Sequence, residues 1–310
     1  MDTTLRFRPD GDFTLMQLTD MHCVDDAETN RRTRALAERL IEWEKPDFIM
    51  NTGDAVYGPD SASQLDDILA PIAASGIPWS FTLGNHDGEY LNNKPELFDR
   101  LIRMPNCRLW HDPDSGARTG NHWLALRNDE GVPEWVFFGL DSGMNHPDAR
   151  VGGYDVITRE QIDWYRRAIA AFEREAPDFS TMLFQHMALP EFETVWRYEV
   201  TRGMRREGIG APRINTGFFS ALLESGHAKG VFVGHDHVND FYGTLYGVTL
   251  GYGRQSGYGS YSAPDFQKGC RMFRFTRGST GTFETWLRLE RGDRIDDPWT
   301  RRPQEARDDG

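Results

Sequence analysis

Cysteine, long apolar segments and net positive charge are all scarce in this sequence. The three cysteines, Cys23, Cys107 and Cys270, are an odd number and lie far apart, which argues against a disulfide framework and favours a reduced protein. No apolar run approaches the roughly 18 residues that span a bilayer, and residues 1–10 lack the apolar core of a signal peptide. We therefore expect a cytoplasmic protein without a membrane partner.

The charge balance limits the possible partners further. Asp and Glu number 48 against 35 Lys and Arg, which gives a net charge of −13. An acidic surface repels a phosphate backbone, so a long nucleic acid is not expected as a partner. A small phosphorylated substrate, drawn to a local cationic site, remains compatible with this charge. The oligomeric state is not indicated by the sequence.

The order of apolar segments predicts an α/β fold. Short β-rich runs alternate with amphipathic helical patterns, which is typical of this class. A helix is predicted over 31–43 with Asn30 as its cap, and a capping box at 158–161 predicts the start of another. Strands are predicted over 13–18, 48–50, 79–82, 123–127, 135–140, 182–184 and 231–233.

The domain organisation is predicted to be simple. Residues 1–290 are expected to form a single domain, because no repeat or low-complexity linker divides them. Residues 291–310 are charged and contain Pro298 and Pro303, so this tail is expected to be poorly ordered. The long connection 187–215 is either a lid over a binding site or a solvated charged face.

Polar motifs follow several of the predicted strands directly. Ligands in open α/β sheets gather beyond the carboxyl ends of the strands, so we expect these motifs to converge. Within Asp20–His22 and within His235–His237, residues two apart would face the same side of an extended strand end. The motifs are Asp20-Met21-His22, Gly53-Asp54, Gly84-Asn85-His86-Asp87, His186 and Gly234-His235-Asp236-His237.

These motifs together supply two carboxylates, one amide oxygen and four imidazoles, with one histidine to spare. This is the ligand inventory of a two-metal hydrolytic centre. Taken singly, an Asp-x-His or Gly-Asp pair more often marks a turn or a helix cap. Their ordered conjunction, each at a strand end, favours the metal centre.

The series of motifs resembles that of the calcineurin-like metallophosphoesterases, from about Asp20 to His237. The resemblance implies a four-layer α/β/β/α sandwich of two mixed β-sheets flanked by helices. It also implies two metal ions, whose identities (Mn, Fe, Zn or Ni) the ligands leave open. By the same resemblance, one ion is held by Asp20, His22, Asp54 and His237, and the other by Asp54, Asn85, His186 and His235.

The resemblance also implies a reaction. A metal-bound hydroxide attacks a phosphate ester, and His86 protonates or stabilises the leaving oxygen. Asp87 either orients His86 or caps a helix, and both roles are compatible. Asn85 and His86 are also expected to contact the substrate. Arg254, in a glycine-rich loop, either binds a phosphate oxygen or is a surface arginine.

The segment Gly53-Asp54-Ala55-Val56-Tyr57 is similar to the second motif of the purple acid phosphatases, in which the tyrosine binds iron. That group has glycine at the position of His22, so we favour His22 as the ligand and place Tyr57 beside the site or in the core. Residues 140–143, 153–155 and 234–240 also resemble the branch of the metallophosphoesterase superfamily that is related to the purple acid phosphatases. His146 is a candidate for the border of the pocket, and Asp141 is a candidate for contacts that support the ligands.

The leading functional hypothesis is a phosphatase that acts on a small phosphomonoester or a phosphoprotein. A phosphodiesterase for cyclic nucleotides or other diesters uses the same ligands and is the alternative. A non-catalytic metal-binding scaffold is less favoured, because none of the expected ligands is missing. A nuclease is disfavoured by the charge of −13.

Overall fold

Two mixed β-sheets form the centre of the molecule in a computed structural model, which describes residues 2–58, 61–89 and 93–303. The nine-stranded sheet has the spatial order β1 (Thr4–Arg6), β5 (His122–Arg127), β6 (Pro133–Leu140), β7 (Ser180–Gln185), β9 (Ala228–Val233), β11 (Val248–Tyr252), β10 (Tyr242–Leu245), β8 (Thr201–Arg202) and β15 (Thr300–Arg301). The six-stranded sheet has the order β14 (Arg294–Ile295), β13 (Glu284–Leu289), β12 (Gly269–Thr276), β2 (Asp12–Leu18), β3 (Phe48–Asn51) and β4 (Trp79–Phe81).

Helices cover the outer face of each sheet. On the six-stranded sheet these are α1 (Ala27–Glu44), α2 (Leu65–Ala74) and α3 (Lys94–Leu101), which share an apolar cluster with its strands. On the nine-stranded sheet these are α4 (Arg159–Glu175), α5 (Glu191–Tyr198) and α6 (Phe218–Ser225). No helix in the described part of the chain is both long and apolar enough to span a bilayer.

A third apolar cluster lies between the two sheets. It joins Phe13 and Phe48 of the six-stranded sheet to Phe137 and Phe184 of the nine-stranded sheet. The Phe13 and Phe137 rings stack with centroids 6.1 Å apart. Helices outside and an aromatic core inside give the layer order α/β/β/α, which confirms the predicted fold class.

The strands that precede the polar motifs run parallel to one another within each sheet. β2, β3 and β4 are parallel in the smaller sheet, and β7 and β9 are parallel in the larger one. Their carboxyl ends therefore open at one edge of the sandwich. A hydrogen bond from the Nδ1 of His186 to the Thr52 carbonyl, 2.8 Å long, joins the two sheets at this edge.

Two helix starts test the predictions from capping residues. The Thr158 hydroxyl accepts from the Gln161 N–H (3.3 Å) and the Gln161 side chain accepts from the Thr158 N–H (2.9 Å), which confirms the capping box of α4. The predicted cap of α1 is wrong, because Asp26 accepts from the Glu28 N–H and the helix starts at Ala27. Asn30 instead bonds the backbone of Val24.

The prediction of a poorly ordered tail is wrong for residues 291–303. β14 pairs with β13, and β15 pairs with β8 at the end of the larger sheet. The remaining residues of the predicted tail, 304–310, lie outside the described part of the chain. The charge and proline content of this segment correctly indicate that it has no hydrophobic core of its own. A strand of two residues needs no such core, because it can pair with the exposed edge of an existing sheet.

The capping box of α4 provides a test of the local energetics. Thr158→Ala removes the hydroxyl that accepts from Gln161, so the free energy of unfolding should fall by about 1 kcal/mol. Urea unfolding followed by circular dichroism measures this change. Thr158→Ser keeps the acceptor and serves as the matched control. Equal stabilities of the Ala and Ser variants would contradict the role of the cap.

Candidate metal centre

Four of the five motif loops bring six potential metal ligands together in two groups. Asp20, His22 and His237 form one group, and Asp54, His186 and His235 form the other. Within each group the candidate ligand atoms lie within 4.8 Å of one another. Five of the six residues are buried, and His235 is half-buried.

The distances place Asp54 between the groups. The Nε2 atoms of His22 and His237 lie 2.9 Å apart, and each faces the Asp20 carboxylate, at 3.7 and 3.5 Å. The Oδ2 of Asp54 lies 3.0 Å from the Nε2 of His186 and 4.0 Å from that of His22. The grouping has the arrangement that the family resemblance implies, with the Asp54 carboxylate facing both sides.

Unpartnered polar atoms indicate whether metal ions fit here. The buried Oδ1 of Asn85 lacks a hydrogen-bond donor, and the buried Oδ2 of Asp54 makes no hydrogen bond, although the His186 Nε2 lies 3.0 Å away. Leaving such oxygens without a partner is unfavourable, and a cation would relieve it. Since the Nδ1 of His186 bonds the Thr52 carbonyl, its Nε2 is left to face the centre. Imidazole nitrogens with carboxylate and amide oxygens are a donor set that suits transition metals.

The site is also electrostatically suited to cations. Burial opposes ionisation of Asp54, yet the neighbouring His186 outweighs it and holds the pKa of this carboxyl below its usual range. Burial likewise disfavours charge on His186, but the Asp54 and Asp20 carboxylates raise its pKa to about 9. Burial, with the nearby His186 charge, lowers the pKa of His235 to about 3. The carboxylates therefore stay ionised and require positive charge beside them.

The backbone that presents these ligands is not extended. Asp20, His22, Asp54 and His235 all have left-handed conformations, with φ values of 53°, 46°, 54° and 71°. The predicted extended backbone is therefore wrong, although Asp20 and His22, which are two apart, do lie in one group as expected. His235 and His237 turn into different groups, and hydrogen bonds such as His22 N–H to the Asp54 carbonyl (3.0 Å) hold the turns.

Asp87 does not orient His86, contrary to the prediction. Its buried carboxylate accepts from the N–H groups of Asp54 (2.9 Å), Ala55 (3.0 Å) and Gly84 (2.8 Å). A carboxylate surrounded by backbone donors fixes the loops that carry them. Asp87 is thus a positioning residue that joins the second and third motifs. It does not cap a helix, since these donors belong to loops.

Glu89 is the partner of His86, and sequence reasoning missed it. Its Oε2 lies 2.5 Å from the Nδ1 of His86, while the His86 Nε2 lies 3.9 Å from the Oδ2 of Asp54. The His86 side chain is 24% exposed, so it can reach a bound substrate. Residues 86–88 form a 3₁₀ turn, which brings residues three apart together. A prediction of this turn from the sequence would have identified Glu89, three residues after His86, as its partner.

Arg254 lies away from the centre, so its predicted role in phosphate binding is wrong. Its side chain is 2% exposed, pairs with Asp240 and donates to the Gln267 carbonyl. The guanidinium also stacks on the Phe266 ring, at 3.3 Å from the centroid. These contacts fix the loop that follows the last motif. Nothing in its position favours contact with a ligand.

The remaining candidates lie around the ligands. The Tyr57 ring contacts the rings of His22 and His86, with centroids 5.6 and 4.6 Å away. Asp141 forms a buried ion pair with Lys94 (2.6 Å). His146 accepts from the Asp148 backbone, so its ring serves the loop. These contacts give Tyr57 alone a direct place beside the ligands.

An open pocket of about 510 Å³ lies in front of the ligands. Part of the connection 187–215, predicted as a possible lid, forms one of its walls at residues 207–210. The same connection also contains α5 and β8. The pocket is lined by Asn85, His86, Glu89, Asn145, Tyr154, Glu207, Gly208, Ile209, Gly210, His235, Asp236, His237 and Tyr261.

Comparison with known proteins agrees with the geometry. A family model described as calcineurin-like phosphoesterase matches residues 13–239. A protein named probable inactive purple acid phosphatase 29, from Arabidopsis thaliana, is 32% identical over 92% of this chain and 84% of its own length.

Two solved structures share the fold. A dimetal phosphatase from Danio rerio superposes with a TM-score of 0.62 at 12% identity, over 93% of this chain and 98% of its own. Purple acid phosphatase PPD1 from yellow lupin (Lupinus luteus) gives a TM-score of 0.55 at 13% identity, over 94% and 54% of the respective chains. At these identities the likeness concerns the architecture alone.

The backbone contacts of Asp87 lead to a stability prediction. Asp87→Ala leaves several buried N–H groups without an acceptor, so the free energy of unfolding should fall by about 3 kcal/mol or more. Chemical unfolding measures this loss. Asp163→Ala, on the exposed side of α4, removes a carboxylate of the same type and should change stability by less than about 0.5 kcal/mol. Similar losses in both variants would exclude the loop-joining role.

Proposed function

Because the chain belongs to the calcineurin-like phosphoesterase family, we propose that it is a two-metal phosphoesterase that acts chiefly on phosphomonoesters. The observation that carries the proposal is the centre itself, with both ligand groups complete and the Asp54 and Asn85 oxygens buried without hydrogen bonds. The substrate would be a small phosphorylated compound or a phosphoprotein.

The proposed ligand sets follow the two groups of the structure. Asp20, His22, Asp54 and His237 would hold one ion. Asp54, Asn85, His186 and His235 would hold the other. When bound, two such ions supply Lewis-acid charge that makes a water acidic and offsets charge on a phosphoryl group. The donors accept Mn, Fe, Zn or Ni.

His86 is the proposed general acid. Glu89 lies against its Nδ1, which favours a proton on that nitrogen and leaves the Nε2 facing the centre. A proton held at the Nε2 can pass to the ester oxygen as it leaves. Glu89 thus takes the orienting role that the sequence assigned to Asp87.

The position of His86 also favours catalysis over a non-catalytic scaffold. A metal-binding scaffold would not need His86, a partly exposed histidine that lies beside the ligand groups and belongs to neither. The name of the Arabidopsis relative contains the word inactive, which makes the scaffold the hypothesis that the experiments must exclude.

A phosphodiesterase is the second candidate, and the lining of the pocket favours it. Among the residues that the structure describes, neither lysine nor arginine lines the pocket. A phosphomonoester carries one more negative charge than a diester, so it depends more on the metal ions for neutralisation. The resemblance to the purple acid phosphatases supports the monoesterase.

The division between ligands and acid leads to a test by substitution. Asp54→Asn should abolish metal retention and turnover, because it removes the charge that faces both groups. His86→Ala should retain both metals but slow turnover by about 10²–10⁴-fold, least for esters with good leaving groups. Elemental analysis of the purified variants and steady-state kinetics measure these effects. Loss of metal in His86→Ala would overturn the assignment.

Matched nitrophenyl esters distinguish the two candidate activities. With protein reconstituted separately with Mn, Fe, Zn and Ni, we expect kcat/KM to be higher for the nitrophenyl monoester than for the bis-ester. The opposite preference would establish the diesterase. Metal-loaded protein that cleaves neither ester, nor any in a wider panel, would support the scaffold.

A further inference from the structure

Two tyrosines and a glutamate form one side of the pocket, and we refer to Tyr154, Glu207 and Tyr261 as the tyrosine–glutamate wall. The Tyr261 ring lies over His237, with centroids 4.3 Å apart, and the Tyr154 ring meets the edge of His235 at 4.5 Å. Each histidine of the last motif is therefore covered by a tyrosine that also lines the pocket.

Glu207 is held in a fixed position within this wall. One carboxylate oxygen accepts from the Val238 N–H at 2.7 Å, and the other accepts from the Tyr261 hydroxyl at 2.6 Å. Because Val238 directly follows His237, the negative charge is anchored beside the ligand loop. A charge held by two hydrogen bonds keeps its place when a substrate binds.

Apart from histidines, the ionisable side chains with an ordinary charge at neutral pH that line the pocket are acidic. Glu89, Glu207 and Asp236 line it, and the described lining residues include no lysine or arginine. The two arginines that precede Glu207 do not line the pocket, although the Arg205 Nε donates to the Glu207 backbone carbonyl at 3.1 Å. Arg205 pairs with Glu193 at 3.0 Å, and Arg206 lies over the Phe266 ring, 5.9 Å from its centroid.

This arrangement has consequences for the part of a substrate outside the phosphoryl group. A second anionic group there would meet carboxylates without a protein cation to neutralise it. An uncharged group would meet tyrosine rings, and an ammonium group would meet both ring faces and carboxylates. The wall thus opposes esters with a second anionic group and favours esters whose alcohol part is uncharged or carries an ammonium.

We propose that the tyrosine–glutamate wall makes the site selective for phosphate esters whose alcohol part is uncharged or cationic, and that it rejects esters with a second anionic group. Glu207 is the main specificity-determining residue, and Tyr261 holds it in place. This inference rests on the proposed phosphoesterase activity and identifies its substrate class.

Two phosphate esters of similar size, whose alcohol parts carry charges of opposite sign, provide the first test. O-phosphoethanolamine carries an ammonium on its two-carbon alcohol part, and phosphoglycolate carries a carboxylate there. Ethyl phosphate, whose alcohol part is uncharged, is the reference. We expect kcat/KM to be higher for O-phosphoethanolamine than for phosphoglycolate by about tenfold or more, as for one charge placed near a fixed carboxylate.

Substitution of Glu207 shows whether the wall causes the difference. Glu207→Gln retains the shape of the side chain and should lower the ratio of the two kcat/KM values about fivefold or more. Tyr261→Phe should lower the ratio less. Glu224→Gln, which removes an exposed charge that pairs with Arg166 on the outer helices, is the matched control and should leave the ratio unchanged. An unchanged ratio in Glu207→Gln overturns the proposal.

A binding measurement separates failure of the wall from failure of the activity. 2-Aminoethylphosphonate and phosphonoacetate mimic the two charged esters and cannot be hydrolysed at an ester bond. Calorimetry on the metal-loaded protein should give a lower Kd for the aminoethyl compound, and this preference should shrink in Glu207→Gln. If ethyl phosphate is hydrolysed but neither preference appears, the wall is not selective and the activity stands. If no ester is hydrolysed but the binding preference appears, the activity fails and the selectivity stands.

Discussion

The structure of the site depends on how Asp54 is held. Its backbone N–H donates to Asp87, its carbonyl accepts from the His22 N–H, and its Oδ1 accepts from the His86 N–H at 2.9 Å. Three loops are therefore joined through one residue, while the remaining oxygen, Oδ2, faces His186 and His22. A carboxylate that is fixed in this way cannot turn aside, so its free oxygen stays directed at both ligand groups.

The close approach of the loops around Asp54 also explains a glycine in the third motif. A Cβ on Gly84 would lie 2.0 Å from the Oδ1 of Asp54 and 2.6 Å from its backbone nitrogen. No side chain fits in that space, because both neighbours are fixed by hydrogen bonds. The Gly-Asn-His-Asp motif thus combines a residue that permits contact, the amide Asn85, the partly exposed His86 and the anchor Asp87.

The fold and the convergence of the loops were predictable because they depend on local patterns. Alternating strands and helices indicate the sheets, and polar motifs at the carboxyl ends of parallel strands must meet. The side-chain roles that failed depend on tertiary partners. Arg254 could be buried only because Asp240 and Phe266 are there to receive it, and no pattern in the sequence shows that pairing. Glu89 takes the place expected of Asp87, because a 3₁₀ turn, rather than residue order, decides which carboxylate reaches His86.

The backbone at the ligands shows how the rest of the protein supports the site. A left-handed conformation at a residue other than glycine costs about 1–3 kcal/mol, and it persists only where the surroundings fix it. Asp20, His22, Asp54 and His235 share that conformation. The surroundings here are the two sheets, held face to face by the aromatic cluster around Phe13 and Phe137. The local strain is therefore balanced by the core of the sandwich, and the ligand groups can be held in place before any cation binds.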